Sequence, residues 1–316
     1  MLVIFSCQAA PESALSTSTV TTNEAVSEID SREYFVRLRL ELKNTGLSQP
    51  EKQNLWVALI RDVPPYQALV SRRIYSQKYS LIQDEYGNQY AEFDLTDHPA
   101  GDSIRIDFEY RVTVNELVYS LNDCAGDLPA DFTMPELHIE SSNPQIVDLA
   151  NQLSRGQQTI CDQVRSFYNY VGDELVYSYN GKDWGAQAAL GPMGADCTEY
   201  TSLLMALTRS QDVPTRYYEG LRFLDSSPEV DSRIEHAWPD VFLPGSGWVA
   251  LDPTLGRSRL ERENYYAHYT PDHIIITTGR NPSTLRGSSY WTHLYWPGDS
   301  TSIVVKGEWT IERIGN

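Results

Sequence analysis

Cys197, His236 and Asp252 follow one another in the order that a thiol nucleophile, its base and the base's orienter require. Cys197 lies in Met193-Gly194-Ala195-Asp196-Cys197-Thr198-Glu199-Tyr200, where a loop turns into a helix. A free thiol, with a pKa near ~8.5, is mostly protonated at neutral pH, and the thiolate is the nucleophile. The unpaired N–H groups of a helix start favour negative charge there. An imidazole that takes the proton would complete a thiolate–imidazolium pair. A helix start also suits a structural cysteine, but Gly191, Pro192 and Gly194 favour a tight approach and so a reactive one.

His236 opens a strand reading His-Ala-Trp-Pro-Asp-Val-Phe-Leu. A lone strand histidine is more often a satisfied or exposed side chain than a base. Its competitors are placed less well: His98 precedes Pro99 in a turn, His138 lies in a linker, and His268, His273 and His293 follow the aspartate. Asp252 ends the next apolar run, after a turn at Pro244-Gly245-Ser246-Gly247. Pairing the two runs as a hairpin would make His236 and Asp252 cross-strand neighbours, the geometry of an orienting carboxylate. Taken alone, Asp252-Pro253 would be a strand-ending turn. A tetrahedral intermediate needs N–H donors. The Cys197 N–H is the natural first, and Tyr177, Trp184 and Gln187 all carry groups able to supply a second.

The elements that must position these residues fall into two regions. From about 32 to 135 the chain reads as β structure. Tyr34, Val36, Leu38, Leu40 and Leu42 alternate with polar residues, and so do Ile104 to Val114. Leu55 to Ile60 is a short apolar strand stopped by Pro64-Pro65, and Tyr86-Gly87-Asn88 turns a hairpin between Tyr79–Gln83 and Tyr90–Leu95. This pattern predicts a β-sandwich. Asn143-Pro144 then starts a helix with Pro at its first position. Further helices are expected from about Thr159 to Val171 and from about Thr198 to Ser210, with a short strand at Leu175 to Tyr179 between them. Strands follow at Thr215 to Phe223, His236 to Leu243, Trp248 to Leu251 and Asp272 to Thr278, with two more near the C-terminus. Helices first and antiparallel strands afterwards define an α+β fold, with helices packed on the sheet. The expected division is a tether over 1–30, a β-sandwich over 31–140 and a second domain over 141–316.

A formal charge of −18 argues against a nucleic-acid partner, since phosphate contacts need clustered Lys and Arg. Met1 to Cys7 is too short to span a bilayer, but its last four residues resemble a bacterial lipobox with Cys7 as the acylated residue. A Ser-, Thr- and Ala-rich tether follows to Asn23. The expectation is a truncated lipoprotein signal, hence an exported or periplasmic protein anchored through lipid on Cys7; a disordered N-terminus and a cytoplasmic location are the alternative. Cys124 and Cys161 could then pair, although Cys161 also suits a plain buried thiol. No Cys-x-x-Cys pair occurs and the histidines are scattered, so no metal and no cofactor is expected.

From about Tyr177 to Gly256 the sequence resembles the transglutaminase-like superfamily, whose members share a papain-like arrangement. The resemblance rests on Gly-Ala-Asp-Cys-Thr-Glu-Tyr, on Leu-Thr-Arg-Ser-Gln-Asp-Val-Pro-Thr-Arg with Gly220, on His-Ala-Trp, and on Gly-Trp-Val-Ala-Leu-Asp-Pro-Thr-Leu-Gly, in that order. It implies that Cys197 is the nucleophile, His236 the base and Asp252 the orienter. It also implies acyl transfer on protein or peptide amides, with water or an amine as acceptor. The Asp84-Glu85-Tyr86-Gly87-Asn88 hairpin and the tail from Asp272 to Arg280 resemble segments of bacterial members, and the tail is expected to complete the same domain. Pro239, after His-Ala-Trp, departs from the pattern and predicts an edge strand or a bulge beside the site. The alternative function is a silent module of the same fold that serves binding or assembly at the cell surface.

Overall fold

The computed structural model describes residues 25–76, 78–121, 124–179, 185–192, 194–224, 234–296 and 303–315. In chain order the strands of the first half are β1 (Val26–Asn44), β2 (Lys52–Leu59), β3 (Gln67–Tyr75), β4 (Ser80–Gln83), β5 (Gln89–Asp94) and β6 (Ser103–Tyr119). Helices α1 (Pro144–Leu153), α2 (Ile160–Glu174), α3 (Gly185–Ala189) and α4 (Cys197–Arg209) come next. The chain then forms β7 (Thr215–Arg222), β8 (Glu235–Leu243), β9 (Gly247–Ala250), β10 (His268–Tyr269), β11 (His273–Thr278), β12 (Trp291–Trp296) and β13 (Ile303–Ile314).

The alternation seen in the sequence is the pleat of a sandwich. Tyr34, Val36, Leu38, Leu40 and Leu42 on β1 have no exposed surface, and neither do Phe108, Tyr110, Val112 and Val114 on β6. One sheet runs β10-β6-β1-β13, with β3 also on β6, and the other runs β12-β2-β5-β4. Their inner faces meet at Phe93 and Phe108, ring centroids 6.2 Å apart and edge to face. The mixed α+β class is the one expected.

The second unit is a sheet of order β11-β7-β8-β9, with α4 packed on β7 and β8 and with α1 and α2 packed on α4. From Glu199 to Arg209 every residue of α4 is buried, so this helix is a central rod rather than an amphipathic surface helix. Helices α1, α2 and α4 each start on a side-chain cap, Asn143, Thr159 and Asp196 in turn, the last two as capping boxes.

Three expectations need correcting, and β3 and α3 were not foreseen. The division at 141–316 fails for the C-terminus, because β12 pairs with β2 and β13 runs along β1 from Glu33↔Ile314 to Asn44↔Ile303. These strands cover the open edges of the sandwich, which would otherwise expose unpaired backbone groups. Strand β3 lay hidden because only one of its positions, Gln67, is buried, so no apolar alternation marks it. The strand expected at Leu175 to Tyr179 is one parallel bridge, Tyr177 to Ala195, and the short helix α3 lies between these two residues in the chain. Pro239 is neither on an edge nor at a bulge, for β8 is internal and pairs with β7 in continuous register through Pro239↔Tyr217.

Side-chain amides join the two units. Gln67 donates to the Ile275 carbonyl at 2.9 Å and accepts from the Ile275 N–H at 2.7 Å, as a neighbouring strand would. Asn88 does the same for Thr278 at 2.8 Å each way, and Asp84 in turn holds Asn88. The Asp84–Asn88 hairpin is thus a docking device for β11. Tyr66 adds a buried hydroxyl bond to Asp240, 2.8 Å.

Candidate active site

Cys197, His236 and Asp252 come together at one end of the β8–β7–β11 sheet. Cys197 is the first residue of α4 and is partly buried. One turn on and on the same face, Thr201 donates its hydroxyl to the Ala237 carbonyl at 3.1 Å, which seats the helix on the strand bearing His236. The Ala237 N–H reaches the sulfur. His236, also buried, hydrogen-bonds through Nε2 to Asp252 Oδ2 at 2.7 Å, which leaves Nδ1 for the thiol. Trp238 stacks on the His236 ring, centroids 5.7 Å apart, and limits its rotation.

Asp252 is not quite the cross-strand neighbour expected. The β8–β9 ladder ends at Asp240↔Ala250, after which Leu251 donates to the Pro239 carbonyl at 3.1 Å and the chain peels away. A residue's N and O point to the same side of a strand, so the N–H that Pro239 lacks faces the place where β9 has ended. The carboxylate reaches His236 from a turn. Its Oδ1 accepts from the N–H groups of Thr254 (3.0 Å) and Leu255 (2.9 Å). Tyr168 of α2 donates to its carbonyl at 2.9 Å, and its N–H donates to Tyr265.

A residue passed over in the sequence completes this cluster. His273 opens β11, and its Nε2 lies 3.1 Å from Asp252 Oδ2, while its Nδ1 lies 3.0 Å from Asp272 Oδ1. Asp272 also receives Arg222 at 3.0 and 3.1 Å. Register explains the meeting: Gly220 pairs with His236 and Arg222 with His273, so the pleat puts all four on one face. The signal was an Asp-His pair at the head of an apolar strand, and its distance along the chain from Asp252 concealed it.

Electrostatics follow from burial and these partners. Burial alone would raise the Asp252 carboxyl, but His236 and His273 hold it well below the usual carboxylate range. Burial depresses His236, only partly offset by Asp252. For His273 burial is outweighed by Asp272 and Asp252, and its affinity for the proton rises. Burial, and next the Asp196 carboxylate, push the Cys197 thiol well above its ordinary value, against the Ala237 N–H. Asp196 as N-cap takes the Thr198 and Glu199 N–H groups that would have favoured a thiolate, so the helix start by itself lends the sulfur less support than its position suggested.

Of the oxyanion candidates, Tyr177 bridges Ala195, two residues before Cys197. Its ring lies beside Tyr200 and under the Arg257 guanidinium, 4.7 Å away. Gln187 is exposed on α3, where its N–H donates to Glu140 at 3.2 Å, and Trp184 lies outside the described residues. A cavity of about 560 Å³ opens beside this approach, lined by Tyr170, Glu174 and Val176 on one side and by Leu190, Pro192 and Gly194 on the other. His236, Asp252 and His273 bring three ligand-type atoms within 4.8 Å of one another. Both rings spend those nitrogens on the same carboxylate oxygen, so the set fits a hydrogen-bond network rather than a cation site.

Cys124 and Cys161 are joined by a disulfide, which settles the alternatives left open for them and ties the linker after β6 to α2. Cys7 lies outside the described residues.

Residues 147–253 match the family model of the transglutaminase-like superfamily. Over 171 residues the chain is 25% identical to the uncharacterized protein YebA of Bacillus subtilis (strain 168), a match covering 46% of this chain and 23% of that protein's length. In structure it is similar to a candidate cysteine protease from Cytophaga hutchinsonii, with a TM-score of 0.63 and 14% identity over 90% of this chain and 92% of that one. The periplasmic domain of TgpA from Pseudomonas aeruginosa is a more distant match, TM-score 0.38 and 15% identity, over 71% and 90% of the two chains. Cys197, His236 and Asp252 with their motifs lie within the matched stretch, so residues 147–253 are similar to the transglutaminase-like superfamily at the site itself.

Proposed function

We propose that the protein is a thiol enzyme that transfers acyl groups from protein or peptide amides, with Cys197 as nucleophile, His236 as base and Asp252 as orienter. The observation that carries this reading is the buried 2.7 Å bond from His236 Nε2 to Asp252, on the strand against which the first turn of the Cys197 helix is seated. The Cys197 sulfur bonds to the amide carbon, its proton passes to His236 Nδ1, and the developing oxyanion meets the Cys197 N–H. Collapse breaks the C–N bond, and the amine or ammonia departs with the proton from His236. Water, or a second amine, then gives His236 a proton and attacks the thioester, releasing acid or a new amide and the free thiol.

The Cys124–Cys161 disulfide supports placing the protein in an oxidising compartment, outside the cytoplasm, in keeping with a lipid on Cys7. Among the described residues no helix is long and apolar enough to cross a membrane.

Iodoacetamide labelling tests the site. Fast, pH-dependent alkylation of Cys197 that falls at least about tenfold in His236→Ala supports an enzyme. Slow labelling that is indifferent to His236 would instead support the silent module. Mass spectrometry of a glutamine peptide with cadaverine then separates amine incorporation from hydrolysis.

A further inference from the structure

His273 makes two hydrogen bonds that a neutral ring cannot make together. Nε2 faces Asp252 and Nδ1 faces Asp272, and both partners are carboxylate oxygens, which only accept. The Thr270 hydroxyl lies 2.9 Å from Nδ1 and 2.5 Å from Asp272 Oδ1, and giving its one proton to the charged carboxylate, the nearer and stronger acceptor, leaves Nδ1 to donate to Asp272 as well. Both ring nitrogens then carry hydrogen. The other side chains around the ring are consistent with a cation there. They are His236 from β8, Arg222 from β7, Trp238 edge-on at 4.7 Å, and Tyr269, whose hydroxyl donates to the His273 carbonyl. With Arg222 and His273 positive, Asp252 and Asp272 negative and His236 neutral, the buried cluster balances.

We propose that His273 is held as an imidazolium through neutral pH and positions Asp252 from behind, a fourth member of the site that never meets the substrate. This rests on the reading of Cys197, His236 and Asp252 given above. The Asp252 oxygen that orients His236 is the same one His273 holds, so the carboxylate cannot turn away from the base without breaking a charge-assisted bond. The cation also tempers the pull of Asp252. A positive charge near His236 and Cys197 lowers the proton affinity of both, which keeps His236 neutral and ready to accept. The Asp272–Arg222 pair holds His273 from its other side.

Nitrogen NMR of the full chain with labelled histidine reads the protonation directly. Wild type should show one ring with both nitrogens protonated at pH 7.5, and His273→Gln should remove that signal. A neutral, single-tautomer pattern for His273 at that pH would overturn the proposal. The kinetic arm is the pH profile of Cys197 alkylation. Loss of the cation in His273→Gln should move the rising limb to higher pH, by roughly one unit, and Asp272→Asn should move it less. A fall at every pH with the limb unmoved would mean a purely structural role and would count against the inference. Should wild type itself show no His236-dependent labelling, the proposed enzyme reading is what has failed, and the NMR result still decides whether His273 is charged. Circular dichroism of both variants checks that they fold, and Asp272→Asn serves if His273→Gln does not.

Discussion

Asp252 is the residue on which the most contacts converge, since both oxygens, its N–H and its carbonyl are all engaged. Asp252→Asn would leave the His273 cation facing a neutral amide in a buried site. Breaking one side of a buried pair costs about 3–5 kcal/mol, and urea unfolding should show a loss of that order. His236→Ala should cost little stability by comparison while removing thiol reactivity, so the two variants separate structural from chemical importance. The same cluster sets a pH window. The folded Asp252 and Asp272 values are depressed, so their stabilisation is present above the unfolded value near ~3.9 and is lost as pH falls below it. The folded His273 value is raised, so its stabilisation is complete below ~6.5 and is lost as pH rises through the folded value. The His236 value is depressed and works the other way, costing stability as pH falls below ~6.5. The His273 contribution should therefore show in thermal melts as a decline above about pH 6.5 that is absent in His273→Gln.

At the scale of elements, the turn that carries Asp252 is braced by close approach. A Cβ on Gly256 would lie 1.8 Å from the Tyr168 hydroxyl, the group that donates to the Asp252 carbonyl. Gly256→Ala must displace either Tyr168 or the turn. A loss of about 1–3 kcal/mol is expected, as for other overpacked sites, with slower Cys197 labelling beside it. The end of α2 secures the same segment from outside. Arg262 and Arg259 both bind Asp173 and pull its carboxyl down to about 2. Asp173→Asn should raise the protease sensitivity of residues 255–265 while leaving the sandwich intact, as limited proteolysis would show. The glycine of the resemblance and the histidine of the site meet here too. Gly220 lies opposite His236, and a Cβ there would sit 2.0 Å from the Ile274 carbonyl oxygen.

Considered whole, the chain closes on itself. Strands β12 and β13 return to the sandwich after the sheet that bears His273 is complete, and one buried core runs through both units. A chain ending at residue 290 would expose the β1 and β2 edges along their length. It should be insoluble or molten, with loss of near-UV circular dichroism and gain of dye binding. The disulfide closes a loop of separation 37. Chain entropy gives it about 3–4 kcal/mol, so Cys124→Ser with Cys161→Ser should lower the melting temperature by several degrees while leaving Cys197 reactive.

Local order was legible because it depends on neighbours in sequence. The alternating runs of β1 and β6, the caps at Asn143 and Thr159, and the helix opening on Cys197 all declare themselves within a few residues. The order of Cys197, His236 and Asp252 among their motifs could be read in the same way. What depended on strand order could not be read. Which edge the last two strands would cover, which oxygen of Asp252 two histidines would share, and which sign the field at the thiol would take are set by groups far apart in the chain and buried together. Sequence spacing carries no record of that burial, and burial decides where each proton sits.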